Sequence, residues 1–315
     1  MKTLFIFNPH SGRNRRRPGF AAEIQAFISS RRLDARLAIT EGRGHATWLA
    51  REAVSGGCAV VVAIGGDGTM NEVAQAVVSS PAALALVPCG SGNGLARHLG
   101  LPRAPLAALQ LASGNQTGRV VAVDTGIVNG RPFFNAMGIG LDADVSQRFN
   151  RLESRGLPAY AREAWKALRA FKAESCVITA GGRTQALAVL LIAVANSDQY
   201  GNNARIAPGA RVDDGELDLV AVHAVNWMTV ATLVPRLFVG RIDRSSHVTR
   251  LTGPRFTIDR MAAGVIHTDG ETHEMAARVE VEVQPRSLRL VVPHAVAHLT
   301  QSHLGRLQPV REGSQ

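Results

Sequence analysis

Three short strings in this chain combine glycine with hydroxyl or amide side chains. They are Asn8-Pro9-His10-Ser11-Gly12, Gly65-Gly66-Asp67-Gly68-Thr69 and Pro88-Cys89-Gly90-Ser91-Gly92-Asn93. Glycine lets backbone N–H groups turn toward a ligand with no Cβ in the way, and a following helix presents its positive end to an anion. The chemistry this suits is the cradling of phosphate. One such string closes many an ordinary strand, but three in succession point to a phosphate or nucleotide site. No Gly-x-x-x-x-Gly-Lys-Ser/Thr string is present, so the site is not a P-loop, and Gly138 with Gly140 does not make a dinucleotide fingerprint. Asp67 is unusual in such a cradle. A carboxylate there repels phosphate unless a cation intervenes, or unless it binds ribose or orients the site.

Two acidic groupings stand apart from the glycine strings. Asp213-Asp214-Gly215-Glu216-Leu217-Asp218 offers the closely spaced oxygen ligands that hard cations such as Mg²⁺ take, and reads equally as a solvated acidic turn before a strand. Asp269-Gly270-Glu271 carries two carboxylates about a flexible glycine. In an extended chain both would point to one face, although a surface turn is equally allowed. Cys89 is read as a small buried side chain, and His45 and His98 as capping or surface groups.

The elements that must position these residues follow from apolar periodicity. Leu4–Phe7, Ala35–Ile39, Cys58–Ile64 and Leu84–Val87 read as strands, and Phe20–Ser30, Ala46–Val54 and Met70–Val78 as helices between them. This order predicts a parallel sheet with helices on its faces, whose carboxyl edge gathers the glycine strings. From about Val123 the pattern changes to short apolar segments separated by turns. These segments are Phe133–Met137, Cys176–Ala180, Ala186–Ala195, Leu217–Val222, Arg255–Ile258, Val279–Val283 and Leu288–Val292, and they predict an antiparallel β-sandwich or barrel. The expected division is a nucleotide-binding α/β domain over 1–123 and a β-sandwich lipid and metal domain over 124–292. One helix is expected inside the second half, with an apolar stripe (Leu157, Ala161, Ala164, Trp165, Leu168, Phe171) opposite Arg162, Lys166, Arg169 and Lys172.

The three glycine strings, the second extended through Met70-Asn71-Glu72, resemble the signatures of the diacylglycerol kinase catalytic-domain family. That family includes bacterial soluble lipid kinases and sphingosine kinases, and shares the Gly-Gly-Asp-Gly-Thr element with NAD kinases and phosphofructokinases. The resemblance continues through Tyr200-Gly201, Ile206-Ala207-Pro208 and Asp214-Gly215-Glu216-Leu217-Asp218 to Asp269-Gly270-Glu271. At the third string Gly94 stands where the bacterial diacylglycerol kinases usually carry aspartate, a form nearer to the sphingosine kinases. The resemblance implies an ATP-dependent lipid kinase of two domains, the first like NAD kinase and phosphofructokinase, with residues 293–315 returning to the first. It implies ATP held by Asn8, Pro9, His10, Ser11, Gly12, Thr40, Gly65, Gly66, Asp67, Gly68, Thr69, Met70, Asn71, Gly90, Ser91, Gly92 and Asn93. It implies Mg²⁺ on Asp213, Glu216 and Asp218. Glu271 is implied as the base, with Asp269 orienting the hydroxyl or meeting the nucleotide's Mg²⁺, and with Asp67 as the competing acid. The acceptor is expected to be diacylglycerol or a related lipid alcohol. A sphingoid-base kinase, a NAD kinase and a silent nucleotide- or lipid-binding module are the alternatives.

Composition sets the remaining expectations. The chain has 315 residues, 46% hydrophobic and 19% charged, which excludes a disordered polymer. Its net charge is +10, and all but three of its 35 basic residues are arginine, a bias that often reflects genome composition. There is no aromatic-interleaved basic patch, so no nucleic-acid partner is expected. Three scattered cysteines make neither a disulfide framework nor a zinc site, which fits a reducing cytosol. Met1-Lys2-Thr3 leads straight into a strand, so no signal peptide is expected, and no apolar run reaches membrane-spanning length. Contact with an anionic membrane, through Arg13–Arg17 and the Arg162/Lys166/Arg169 face, is expected to be electrostatic and transient, at the inner face. A homodimer is compatible with the sequence and not specified by it.

Overall fold

The computed structural model describes residues 2–114, 118–150, 166–167 and 173–296. The basic helix expected over 157–171 and most of the returning segment 293–315 lie outside these residues, apart from positions 166–167 and 293–296.

The first half alternates strands and helices as the periodicity requires. In order it runs β1 (Thr3–Phe7), α1 (Phe20–Ser30), β2 (Ala35–Ile39), α2 (His45–Ser55), β3 (Val60–Gly65), α3 (Asp67–Val77), β4 (Ala83–Pro88), the single-turn α4 (Gly94–His98) and α5 (Pro105–Ala112). β1, β3 and β4 are buried along their whole length, as strands covered by helices on both faces must be. They pair in parallel in the order β2-β1-β3-β4. The register is level: Phe7 lies opposite both Ile39 and Ile64, and Ile64 opposite Val87. The next residues, Asn8, Thr40, Gly65 and Pro88, therefore lie side by side at one edge, with Gly65 and Pro88 the last pair of β3 and β4.

The second half is an antiparallel β-sandwich. It comprises β5 (Gly118–Val128), β6 (Arg131–Phe133), β7 (Ala136–Gly140), α6 (Leu141–Asn150), β8 (Glu174–Ala180), β9 (Arg183–Ala195), the hairpin β10 (Gln199–Gly201) and β11 (Ala204–Arg205), and β12 (Leu217–His223). Then come α7 (Trp227–Phe238), β13 (Val248–Gly253), β14 (Arg255–Arg260), β15 (Gly264–Thr268), β16 (Glu271–Met275) and β17 (Arg278–Pro293). Its core is built from inward-facing residues such as Phe133, Met137, Ile192, Leu219, Phe256 and Val281, all buried.

Two strands belong to both halves. β5 places Val121 and Val123 in the α/β core and Val128 in the sandwich core, so residue 124 falls inside a continuous strand. β17 pairs with β14 near its start, runs antiparallel along β5, and near its end lies parallel to β4 at Leu290 opposite Leu84. The segments 279–283 and 288–292, read from sequence as separate strands, are one strand with a bulge between Gln284 and Leu288. Pro285 lacks an N–H and Arg286 has φ +51°, which is how one strand tolerates a turn-like string.

Candidate active site

The three glycine loops do more than end at one level; they pack on one another. A Cβ at Gly90 would sit 2.6 Å from Gly66 Cα, and one at Gly12 would collide with the Cys89 carbonyl. Arg13 N–H donates to the Cys89 carbonyl at 2.9 Å, and Cys89 N–H to the Gly65 carbonyl at 2.7 Å. Gly12 has φ +38°, a conformation that an L side chain rarely adopts. The glycines are needed partly so that three backbones can touch, and only Gly68 has open space where a Cβ would go among the four in the second and third loops with Gly65 set aside.

Asp67 locks this arrangement. It lies in the first turn of α3, which begins three residues earlier than the apolar pattern predicted because Gly66-Asp67-Gly68 reads as a turn. Its Oδ2 accepts the Asn93 amide at 2.8 Å and its Oδ1 the Gly94 amide at 2.9 Å, so the carboxylate joins the second loop to the third. Burial pushes the Asp67 carboxyl up, against these amides and the Arg97 charge, which act the other way. Each oxygen thus takes one backbone amide, and Asp67 holds the cradle together. Asn8 and Thr69 join the first loop to the second through an Nδ2–Oγ1 bond of 2.9 Å. Met70 and Asn71 are buried in α3, Thr40 is buried at the end of β2, and His10, Gly68 and Ser91 are exposed. Pro9, Ser11 and Gly92 are half-buried beside them.

A rim of guanidinium groups surrounds the loops. Arg97 Nε donates to the Gly92 carbonyl at 2.7 Å, and Arg13 Nη1 to the Arg103 carbonyl at 3.2 Å. Burial first, and then the like charges of Arg103 and Arg13, lower the Arg97 pKa, while Asp67 acts the other way. Burial raises the Cys89 thiol to about 11 in spite of Arg13 and Arg17, which makes it an unreactive small side chain, as read from sequence.

The sandwich brings its own acids to the same edge. Arg43, in the connection after β2, reaches Glu271 Oε1 at 3.1 Å, although 228 positions separate them. Glu271 is about a quarter exposed, and its Oε2 has no hydrogen-bond partner among the described residues. Asp269 differs. Its φ is +50°, and its carboxylate accepts the amides of Phe134, Asn135 and Ala136 at 2.8–3.1 Å. Burial raises it to about 6 even with those amides opposing. Asp269 therefore clamps the β15–β16 turn onto the turn before β7. Its Oδ1 takes two of these amides and its Oδ2 one, so an acceptor position on Oδ2 remains beside the clamp.

Beneath the clamp lies a pair that the sequence did not reveal. His267 Nε2 and Asp142 Oδ2 are 2.7 Å apart and buried, and glycine at 138 leaves the room for them. Burial opposes both charges, but the pair's mutual attraction and hydrogen bond hold His267 up and Asp142 down. His98, expected as a capping or surface group, has its side chain buried against Asp198 at 2.7 Å, joining α4 to the residue before β10.

The metal ligands implied for Asp213, Glu216 and Asp218 do not converge. Among the described residues no group of three His, Cys, Asp or Glu side chains forms a cation cage. Asp218 Oδ1 accepts from Arg250 Nε at 2.9 Å and Thr252 Oγ1 at 2.8 Å, while Asp213 pairs with Arg211 and Glu216 is exposed. Asp214 is pushed up by burial and by the neighbouring charges of Glu216, Asp124 and Asp218. The countercharges present are guanidiniums, so these residues do not fit a bound divalent cation, and no step is routed through one.

Comparison with known proteins identifies the family. Residues 2–125 match the family described as "Diacylglycerol kinase catalytic domain", and residues 135–292 match the "YegS C-terminal NAD kinase beta sandwich-like domain". A Pseudomonas aeruginosa protein named "Probable lipid kinase YegS-like" is 32% identical over 282 residues, covering 86% of this chain and 90% of its own length. A Bacillus subtilis protein named "Diacylglycerol kinase" is 28% identical over 301 residues, covering 93% and 96%. The crystal structure of a Bacillus anthracis diacylglycerol kinase shares the fold at a TM-score of 0.71 and 20% identity, covering 94% and 98%. With its glycine loops, its sandwich and these relatives in the same order along the chain, the protein belongs to the lipid-kinase family in which a diacylglycerol kinase catalytic domain precedes a YegS-type sandwich.

Proposed function

We propose that this protein transfers the γ-phosphoryl group of MgATP to the hydroxyl of diacylglycerol or a related lipid alcohol. The observation that carries the reading is the level, mutually packed set of glycine loops under an arginine rim, with Glu271 facing it from the sandwich. Phosphoryl transfer asks mainly for positioning and charge neutralisation, which backbone amides at the loops and the Arg13, Arg97 and Arg103 cluster supply. ATP lies along residues 8–12, 65–71 and 90–93, with Thr40 at the margin. The acceptor enters between this edge and the β15–β16 turn. As its oxygen bonds to the γ-phosphorus and the bond to the β,γ-bridging oxygen breaks, Glu271 takes the hydroxyl proton and ADP leaves. The nucleotide and sandwich regions act as the two expected domains, 1–123 and 124–292, and the setting is the cytoplasmic face of a membrane, where ATP and lipid meet.

The test is phosphorylation of a total lipid extract with radiolabelled ATP and mass spectrometry of the product. A phosphorylated glycerolipid supports the reading. A phosphorylated sphingoid base moves the acceptor to that class, and label on NAD with none on lipid overturns it.

A further inference from the structure

The helix α7 carries two apolar stripes where a surface helix needs one. Val230, Leu233 and Leu237 face inward, and Leu233 is buried with Leu141, Leu190 and Val222. Trp227, Ala231, Val234 and Phe238, at helical spacing, form a second stripe toward solvent. Met228 and Val239 widen it, and the exposures reach 62% at Trp227 and 64% at Val239. A single exposed apolar side chain needs no explanation, whereas a contiguous patch marks an interaction surface.

Charge identifies the occupant. α7 contains no acidic residue, and Arg236, Arg241 and Arg244 are exposed on and just after it. The one acid of that stretch, Asp243, is paired with Arg250. An apolar face bordered by cations is the pattern that seats a helix in the interface of an anionic bilayer, the apolar side chains entering the headgroup boundary and the cations meeting lipid phosphates. Position agrees as well. The segment after α7 approaches the β10–β11 hairpin, with a Cβ at Gly240 lying 3.1 Å from Arg205 Cδ. The hairpin in turn touches the third glycine loop, where a Cβ at Gly201 would lie 3.2 Å from Gly92 Cα.

We propose that α7 is the helix by which this protein seats on an anionic membrane, with Trp227, Val234 and Phe238 buried in the interface. The proposal rests on the lipid-kinase reading only for the relevance of a bilayer. It replaces the purely electrostatic contact expected from sequence with one that is partly apolar.

The test uses the full chain and vesicles of phosphatidylcholine with phosphatidylglycerol, without nucleotide, so that it reads no phosphotransfer and does not fail with the kinase reading. Trp48→Phe with Trp165→Phe leaves Trp227 as the reporter. Its emission should shift to the blue on vesicle addition and be quenched by brominated lipid. The triple variant Trp227→Ser/Val234→Ser/Phe238→Ser should lose at least about tenfold in vesicle partitioning with an unchanged melting temperature, because all three side chains are exposed. Vesicle binding with Trp227 still in water overturns the proposal. So does a wild-type dimer that the triple variant turns into a monomer, which would assign the face to a second copy.

Discussion

Arg43 and Glu271 meet at 3.1 Å across the junction between the parallel sheet's carboxyl edge and the β15–β16 turn. The contact leaves one carboxylate oxygen of Glu271 directed elsewhere, whereas Asp67 and Asp269 spend theirs on backbone amides. Three acids that look equivalent in sequence thereby stand in different surroundings, Glu271 with one oxygen unbonded among the described residues and Asp67 and Asp269 joined to neighbouring loops.

That separation is measurable. Glu271→Gln keeps shape and removes the base, so kcat should fall by about two to four orders of magnitude with melting temperature and ATP affinity nearly unchanged. Asp67→Asn should lower the melting temperature as well, because an amide NH₂ would face a backbone donor. Near-normal turnover in the Glu271 variant would remove it from the role of base.

The glycine loops make a steric prediction. Gly90→Ala forces a methyl group to within 2.6 Å of Gly66 Cα, a backbone atom that cannot swing aside. Gly68→Ala meets nothing within 4 Å. Thermal unfolding should show the first losing several degrees and ATP affinity together, and the second staying close to wild type in stability.

Asp269 predicts a pH dependence. Its carboxyl, ordinarily near 3.8, is raised by burial to about 6 in the fold. Between those values the folded chain holds a proton that the unfolded chain has released. Its contribution is therefore full below the lower value, declines as pH rises through the window, and is flat above it. Denaturant midpoints of wild type and Asp269→Asn, measured from about pH 4 to about pH 7, should diverge in slope across that window, with the slope smaller in the variant. Parallel curves would show that Asp269 is not the group titrating.

Arg250 predicts indifference to chelators. Its guanidinium bridges Asp218, Asp243 and the Pro208 carbonyl. EDTA should leave the melting temperature unchanged. Arg250→Met should cost about 2 kcal/mol, less than the loss of a fully buried partner because the guanidinium is partly exposed. A melting temperature that falls in EDTA and returns with Mg²⁺ would restore a cation at the Asp213–Asp218 turn.

The sequence made some of this visible and hid the rest for physical reasons. β1, α1 and β2 could be bounded closely, because each is a local period ended by turn residues. The level register of Asn8, Gly65 and Pro88 followed from parallel strands of similar length. The clamps could not be read. A carboxylate that accepts backbone amides from residues 26 or more positions away looks the same in sequence as one awaiting a ligand. Arg97 and Arg103 carried no signal as isolated arginines, and His267 lies 125 positions from Asp142. α7 was passed over although its apolar residues repeat at helical spacing; Pro235 inside it is a residue that ordinarily ends a helix.

β17 also fixes when the fold can close. Between β4 and β5 the nucleotide-side sheet has a place that residues 288–293 fill, and these are synthesised long after β4. Domains made first ordinarily fold first. Here the half that is made first waits on the ribosome with the edge of β4 unpaired, and such an edge is a template for strands of other chains. A chain stopped before Leu288 would lack the shared strand in both layers at once, so a nucleotide-binding half released early is expected to be an aggregation-prone fragment rather than a smaller working domain.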